Sequence, residues 1–226
     1  MRPDRIALAA LVVVIGCSGD PAKPNGTTPP AMETPPEPPA EPSEVSPKAN
    51  VRFLNAPRLS KTYSKILGVP EGELCKELGL YACVDFIHKI SLLGTDPYVF
   101  GVNDPLPTTT TATPLVVERV ATAGCVTRVA IDRKQHASVT REEHRLFDRL
   151  EIDAAGKMDV DAPIVSFTID RLYTRALQRH ATETEVSELR ALYTSIEALP
   201  DVKKPAEDWA IASCVAVLTS MESLFY

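Results

Sequence analysis

Residues 170–196 read DRLYTRALQRHATETEVSELRALYTSI, and this stretch decides the fold. Apolar residues recur three and four positions apart on both sides of its middle, which predicts two helices. Thr182 and Glu185 have the spacing of a capping box, so the second helix should begin there. The expected buried residues are Phe167, Leu172, Tyr173, Ala176 and Leu177, then Val186, Leu189, Leu192, Tyr193 and Ile196. Because the connection is short, the two helices should form an antiparallel hairpin.

A third helix should pack along this hairpin. Asp161 and Pro163 are typical of a helix start and open the first helix, while Pro200 should end the second. Pro205 then opens the third helix, in which Trp209–Val217 is apolar on nearly all sides. That composition is typical of a helix in the centre of a core.

Helical patterns also fill the first half of the folded region. A short apolar stripe at Leu59, Tyr63, Ile66 and Leu67 ends at Gly68. Glu73–Leu93 has apolar residues at helical spacing with Gly94 after it, which predicts one continuous helix. A loop rich in proline and threonine follows over residues 95–112.

Two more helices are expected in the middle of the chain. Thr113 and Pro114 resemble an N-cap and a first helical residue. The many valines after them leave a strand as the alternative. Thr140–Glu143 has the capping-box form and should open a helix that carries Leu146, Phe147 and Leu150. The sequence therefore predicts an all-α fold, an irregular helical bundle with a C-terminal antiparallel hairpin, a core helix and a long Pro/Thr loop.

The first 49 residues should not belong to that bundle. Arg2 and Arg5 precede the apolar run Ile6–Gly16, which is shorter than the roughly 20 residues needed to span a bilayer and is typical of a signal peptide. The run ends in VIGC at residues 14–17, which resembles the lipobox of bacterial lipoproteins. That resemblance implies a signal peptide over residues 1–16 and lipidation at Cys17. A plain secretory peptide and a buried N-terminal helix are the alternatives.

Residues 17–49 are predicted to form a tether before a domain over residues 50–226. Ten prolines lie between Pro21 and Lys48, and they favour an extended chain that reaches on the order of 90 Å. The net charge of −6 argues against nucleic acid as a partner, because that binding needs a clustered basic face. The expected partners are the membrane, through the lipid anchor, and a protein of the cell envelope. Ser18 after Cys17 favours the outer membrane.

Four further cysteines, an even number, are typical of disulfides in an exported domain. They are Cys75, Cys83, Cys125 and Cys214. If Cys75 and Cys83 lie on one continuous helix, their Cα atoms are about 12 Å apart, which is too far for a disulfide. Each would then pair with Cys125 or Cys214. A helix break at Gly79 would allow the local pair instead.

Motifs that carry chemistry are absent from the sequence. It contains no CxxCH, CxxC, GxGxxG, GxSxG or P-loop pattern, and Glu143-His144 has Thr140 where an inverted zinc motif needs histidine. The sequence thus predicts no catalytic residue, no metal site and no cofactor. The stripe Arg171, Arg175 and Arg179 could bind an anion, but salt bridges to the acidic start of the next helix are the simpler interpretation.

Two resemblances accompany these patterns. Leu172–Arg179, Thr182–Glu185 and Leu218–Phe225 resemble the C-terminal helical module of secreted, cytochrome-associated proteins of unknown function from planctomycetes and myxobacteria. The segments LCKELGLYAC and DPYVFGVNDPLP are similar to uncharacterised myxobacterial lipoproteins. Neither resemblance implies an activity or a catalytic residue.

The sequence as a whole indicates a cell-envelope lipoprotein whose domain is a non-enzymatic binding or structural module. The alternative is an accessory or enzymatic subunit that acts with secreted cytochrome-like partners. An exposed apolar patch would favour the binding module, whereas a buried His–carboxylate pair lining a cleft would favour the enzyme.

Overall fold

The computed structural model describes residues 52–98, 101, 103–104, 109–134 and 146–225. The predicted signal peptide, the lipidation site at Cys17 and the tether lie outside the described residues. The Thr140–Glu143 cap also lies outside them. Every structural statement below concerns the described part of the chain.

The fold is mostly helical, which confirms the predicted all-α class. The α-helices are α1 (Ala56–Leu67), α2 (Thr113–Lys134), α3 (Pro163–Leu177), α4 (Glu183–Glu197), α5 (Pro205–Leu218) and α6 (Met221–Leu224). Single turns of 3₁₀-helix occur at Glu71–Glu73 and Ile90–Leu92, and a π-helical segment at Cys83–Ile87. The two strands, β1 (Lys76–Glu77) and β2 (Tyr81–Ala82), form one small antiparallel hairpin.

The C-terminal helices form as the sequence predicts. The Thr182 hydroxyl accepts from the backbone N–H of Glu185, and the Glu185 carboxylate accepts from the N–H of Thr182, so the capping box is complete. α3 and α4 run antiparallel: Arg190 of α4 donates to Ser166 near the start of α3, while Arg179, just after α3, meets Glu185 at the start of α4. The five-residue connection between the helices, residues 178–182, therefore folds them back on each other.

Helix α5 lies at the centre of the core. It packs against α2, α3 and α4, and Trp209, Cys214 and Leu218 on it are fully buried. The Trp209 indole N–H donates to the carbonyl of Leu189 on α4 at 2.6 Å. The Cys125–Cys214 disulfide joins α2 to α5 across 89 residues of sequence, with a Cα–Cα distance of 5.9 Å. The valine-rich segment of α2 is thus a helix and not a strand.

Helix α1 closes one side of this core. The buried Tyr63 hydroxyl donates to the carbonyl of Leu218 at 2.7 Å, and burial raises the pKa of this phenol above its ordinary value. Residues at the two ends of the described chain also meet. The N–H of Leu54 donates to the carbonyl of Leu224, and the rings of Phe53 and Phe225 pack edge to face at 5.7 Å.

The predicted continuous helix over Glu73–Leu93 is wrong. Leu78 and Gly79 have φ angles of 53° and 73°, in the left-handed region, and the chain reverses there. The reversal brings the N–H of Cys83 to the carbonyl of Cys75 at 3.0 Å and allows the disulfide between them. The alternative based on a break at Gly79 is therefore the one that the structure adopts.

Two smaller predictions are also wrong. Residues 146–150 form bends and turns rather than a helix, because the Asp132 carboxylate accepts the backbone N–H groups of Leu146 and Phe147. Leu146, Phe147 and Leu150 are nonetheless buried. Phe167 is 48% exposed rather than buried, and the Arg149 guanidinium lies over its ring at 5.5 Å.

Candidate functional site

A disulfide-closed hairpin over residues 75–88 is the most unusual feature of the described surface, and we call it the clamped hairpin. β1 and β2 pair in the register Lys76 to Ala82 and Glu77 to Tyr81. The Cys75–Cys83 disulfide closes the base of the hairpin, where the Cα atoms are 5.4 Å apart. Two short strands alone are marginal in water, so this covalent link is what holds the reversal in one conformation.

The base of the clamped hairpin is fixed in the core. Leu74, Cys83 and Val84 are buried there. Gly124 of α2 allows this approach, since a Cβ at that position would lie 2.8 Å from a methyl carbon of Leu67 and 3.5 Å from one of Leu74. The hairpin therefore projects from a rigid support.

The outer part of the clamped hairpin exposes large apolar side chains. Leu78 is 89% exposed and Leu80 is 76% exposed. Tyr81 and Phe86 stack on each other, with ring centroids 5.6 Å apart and planes 17° apart, and both are about half exposed. We call the set the apolar tip: Leu78, Leu80, Tyr81, Phe86 and Ile87. Single exposed apolar residues are ordinary, but five within ten residues indicate an interaction surface.

A polar cluster ties the hairpin to α2. The Arg119 guanidinium donates to both carboxylate oxygens of Glu77, and His88 Nε2 lies 3.1 Å from Glu77 Oε1. The hydrogen bonds from Arg119 first, and then from His88, lower the pKa of Glu77 from 4.5 to about 2. Glu77 is therefore ionised at neutral pH with both oxygens occupied. It acts as a strut between the hairpin and α2, and it is not available as a general acid or base.

The described surface includes two grooves. The first, of about 380 Å³, lies beside the clamped hairpin between Glu77 and the Leu115–Ala123 side of α2. The second, of about 710 Å³, lies along α3 and α4 and contains Arg190, whose Nη2 donates to Ser166. No histidine lines either groove in the part of the chain that the structure describes. The His88–Glu77 pair borders the smaller groove through Glu77, but both side chains are partly exposed, so it is not the buried pair that the enzyme hypothesis predicts.

The three arginines of the predicted stripe have different surroundings. Arg179 bridges Glu185 at 2.7 Å and Glu222 at 2.8 Å, and lies over the Tyr173 ring. Arg171 instead faces Asp148 at 3.7 Å. Arg175 is half-buried, and desolvation is the main reason its pKa is lowered. Arg179 makes the expected bridge to α4, and an anion-binding role for the stripe stays a prediction.

A buried ion pair that sequence reasoning missed lies under α1. Arg128 and Asp132, four residues apart on α2, are both buried, with Arg128 Nη2 at 2.5 Å from Asp132 Oδ1. Arg128 also donates to the carbonyl of Leu67, and Asp132 also accepts the N–H groups of Leu146 and Phe147. The sequence did contain a signal for this pair, namely an arginine and an aspartate four residues apart within an apolar helix. The pair has a structural role, since it fixes where the chain returns to the core.

All four predicted disulfide cysteines are paired, as Cys75–Cys83 and Cys125–Cys214. Within the described residues, one group brings three side chains of metal-binding type together, namely Cys75, Glu77 and Cys83. Sequence reasoning missed both this cluster and the apolar tip. Gly79 was the signal for them, because it marked the possible break in the predicted helix.

Comparisons with protein families, curated proteins and solved structures find no match to this chain. The resemblance to cytochrome-associated secreted proteins and to myxobacterial lipoproteins therefore stays a prediction. Along the described helices, none combines the length and apolar character needed to cross a bilayer.

Proposed function

We propose that this chain is a cell-envelope lipoprotein, anchored at the outer membrane through Cys17, whose helical domain is a non-enzymatic binding module. The domain contacts its partner through the apolar tip. The observation that carries the proposal is the exposure of five large apolar side chains on a hairpin whose base is covalently closed and buried.

The energetics favour a binding role for the tip. Covering a leucine side chain that is otherwise exposed contributes about 1.5–3 kcal/mol, and Leu78 and Leu80 are the two most exposed residues of the tip. The disulfide and the Glu77–Arg119 strut hold the hairpin in place before binding. Little conformational entropy is then lost on association. A larger share of the free energy gained by burying the apolar side chains therefore contributes to the binding affinity.

The charges near the tip indicate what kind of partner it suits. Asp85 is exposed next to Phe86 of the tip, while the nearby Lys76 is engaged by Glu73 at 2.6 Å. An acidic margin disfavours an anionic lipid surface. It is complementary to a protein whose apolar pocket is bordered by lysine or arginine.

The anchor and tether support the same proposal. Arg2, Arg5 and the apolar run before Cys17 have the order of a lipoprotein signal, and residues 17–49 have the composition of a spacer. The two disulfides support export, because such bonds persist in oxidising compartments. A domain on a long spacer can search for a partner that lies at some distance from its own anchor.

Site-specific photo-crosslinking in intact cells tests the contact. With a photo-reactive amino acid at position 78, we expect one discrete protein product, and its yield should fall as the salt concentration is raised. The matched control places the same group at position 199, where Leu199 is also exposed but lies outside the hairpin. Equal products from both positions, products with lipid alone, or no product at position 78 would contradict the binding role.

Mass spectrometry of the mature protein tests the anchor separately. We expect the chain to begin at Cys17 and to carry acyl groups on that residue. A free thiol at Cys17, or an uncut N-terminus, would overturn the lipoprotein assignment. The crosslinking experiment would still test the contact made by the apolar tip.

A further inference from the structure

We propose that the base of the clamped hairpin is a thiol-dependent zinc site, formed when the Cys75–Cys83 disulfide is reduced. Cys75 and Cys83 supply two thiolates, and Glu77 and His88 complete the ligand set. The proposal departs from the sequence prediction of no metal site, and it stands whether or not the apolar tip binds a partner.

The positions of the four side chains carry the proposal. A tetrahedral zinc ion with bonds of about 2.0–2.3 Å has ligand atoms about 3.3–3.8 Å from one another. Cys83 Sγ lies 3.8 Å from Glu77 Oε1, and His88 Nε2 lies 3.1 Å from the same oxygen. Ligand atoms of Cys75, Glu77 and Cys83 all lie within 4.8 Å of one another. Two of the six edges of a zinc tetrahedron, Cys83–Glu77 and His88–Glu77, are therefore already close to their required lengths. His88 lies outside the group formed by the other three side chains, so its ring must turn toward the sulfur atoms to complete the ligand set.

The main change needed is at the sulfur atoms. They are bonded to each other in the disulfide and would separate to about 3.8 Å around zinc. The Cα atoms of the two cysteines are 5.4 Å apart, so rotation of the side chains supplies most of that separation. Leu74 and Val84, next to the cysteines, are buried in the core and keep the two backbone segments in position.

The chemistry balances with a dithiol as reductant. The dithiol gives two electrons and two protons to the disulfide, so the Cys75–Cys83 bond breaks to two thiols while the dithiol becomes a disulfide. Zinc then displaces the two thiol protons, because the thiolate is the form that binds a metal. No other oxidant or reductant takes part.

The charges of the site also balance. Two thiolates and the Glu77 carboxylate carry three negative charges, which Zn²⁺ and the Arg119 guanidinium neutralise. His88 contributes a neutral nitrogen. The second disulfide offers no comparable site, since in the described part of the chain no histidine or carboxylate joins Cys125 and Cys214 in a metal-binding group.

Cobalt titration tests the site, since thiolate-bound Co²⁺ has a charge-transfer band in the near ultraviolet. The sample is the full chain with Cys17→Ser, reduced by a phosphine, with free thiols counted by mass spectrometry. We expect one equivalent of Co²⁺ with the band of two thiolates, displaced by Zn²⁺, and no band without reduction. His88→Gln should weaken binding at least tenfold. His180→Gln, which changes an exposed histidine after α3, should leave binding unchanged.

Three results would overturn the proposal. One is the absence of the band although the thiols are free and the helical circular dichroism is retained. Another is a band that persists in the Cys75→Ser/Cys83→Ser variant, which would assign it to the other cysteines. The third is unchanged affinity in both His88→Gln and Glu77→Gln. If reduction unfolds the chain, refolding on addition of zinc supports the site, and failure to refold contradicts it.

Discussion

At the residue scale, the buried Arg128–Asp132 pair links α2 to the end of α1 and to the chain at Leu146. Asp132 accepts hydrogen bonds from Arg128 and from two backbone N–H groups, at Leu146 and Phe147. Loss of its charge would leave the buried guanidinium of Arg128 without a counter-ion. A buried ion pair contributes little compared with a well-packed apolar pair, but the removal of one partner is costly.

Asp132→Asn should therefore lower the free energy of unfolding by about 3–5 kcal/mol. Urea denaturation followed by circular dichroism measures the change. Glu207→Gln is the matched control, because its bridges to Arg133 and Lys204, at 3.7 Å and 3.1 Å, are longer and partly exposed. The control should change stability by less than about 1 kcal/mol. If Asp132→Asn lowers the free energy of unfolding by less than about 1 kcal/mol, the buried guanidinium of Arg128 does not depend on this carboxylate.

Two low carboxyl pKa values predict how stability changes with acid. Arg119 lowers the pKa of Glu77, and Arg179 lowers that of Glu185, each from 4.5 to about 2. A group whose pKa is depressed by folding stabilises the native state above its unfolded pKa, and that contribution is lost as the pH falls through the folded pKa. Stability should therefore decline between about pH 4.5 and pH 2.

The measurement is urea denaturation across that pH range. Glu77→Gln and Glu185→Gln should each make the decline shallower, because the amide does not titrate. The parent chain, measured beside both variants, is the reference for the slope. An unchanged slope in both glutamine variants would contradict the assignment.

At the element scale, the clamped hairpin separates what the sequence could predict from what it could not. Helical spacing located α1, α2, α3, α4 and α5, because each buries one continuous stripe. The same spacing failed at Leu74, Leu78, Ala82 and Phe86, because periodicity records where apolar residues fall and not what covers them. A disulfide at the base and a left-handed turn at Gly79 outweighed helix formation there. In the same way, Asp132 on a distant helix determined the turn at Leu146.

Gly79→Ala tests the importance of that turn. The φ angle of 73° at Gly79 lies in the left-handed region. A residue with a Cβ atom is less stable in that conformation by about 1–2 kcal/mol. The surrounding space is open, so strain is the only expected penalty. Gly72→Ala is the control, because it also lies in open space but without a positive φ. The midpoint temperature of thermal denaturation should be lower for Gly79→Ala than for the parent chain and the control. Equal midpoint temperatures would contradict the argument.

At the scale of the whole molecule, the Cys125–Cys214 disulfide joins the longest helix to the central one. Its two cysteines are separated by 89 residues, compared with 8 for Cys75–Cys83. A longer closed loop removes more conformational entropy from the unfolded chain. On that basis the long loop stabilises by about 4–5 kcal/mol and the short one by about 2–3 kcal/mol.

Cys125→Ala/Cys214→Ala should therefore cost more stability than Cys75→Ala/Cys83→Ala. Urea denaturation of the two double variants beside the parent chain gives the order, and circular dichroism confirms that each is folded before the titration. The reverse order would mean that the clamped hairpin contributes to the core beyond closing its own loop.

The whole fold was more accessible to sequence reasoning than the candidate site. The C-terminal hairpin and its core helix follow from capping at Thr182, the prolines at 163 and 205, and the apolar surface of α5. The apolar tip required the three-dimensional position of Leu78 and Leu80, and nothing in their own chemistry distinguishes them from core leucines.

The bond between Cys125 and Cys214 also affects how damage to this molecule would show itself. A single protease cut anywhere between residues 126 and 213 leaves both fragments covalently joined, with the central helix α5 still attached to α2. The nicked protein would keep its full mass on a non-reducing gel and separate into two pieces on a reducing one. A domain built in this way can lose backbone continuity over more than a third of its chain without releasing a fragment.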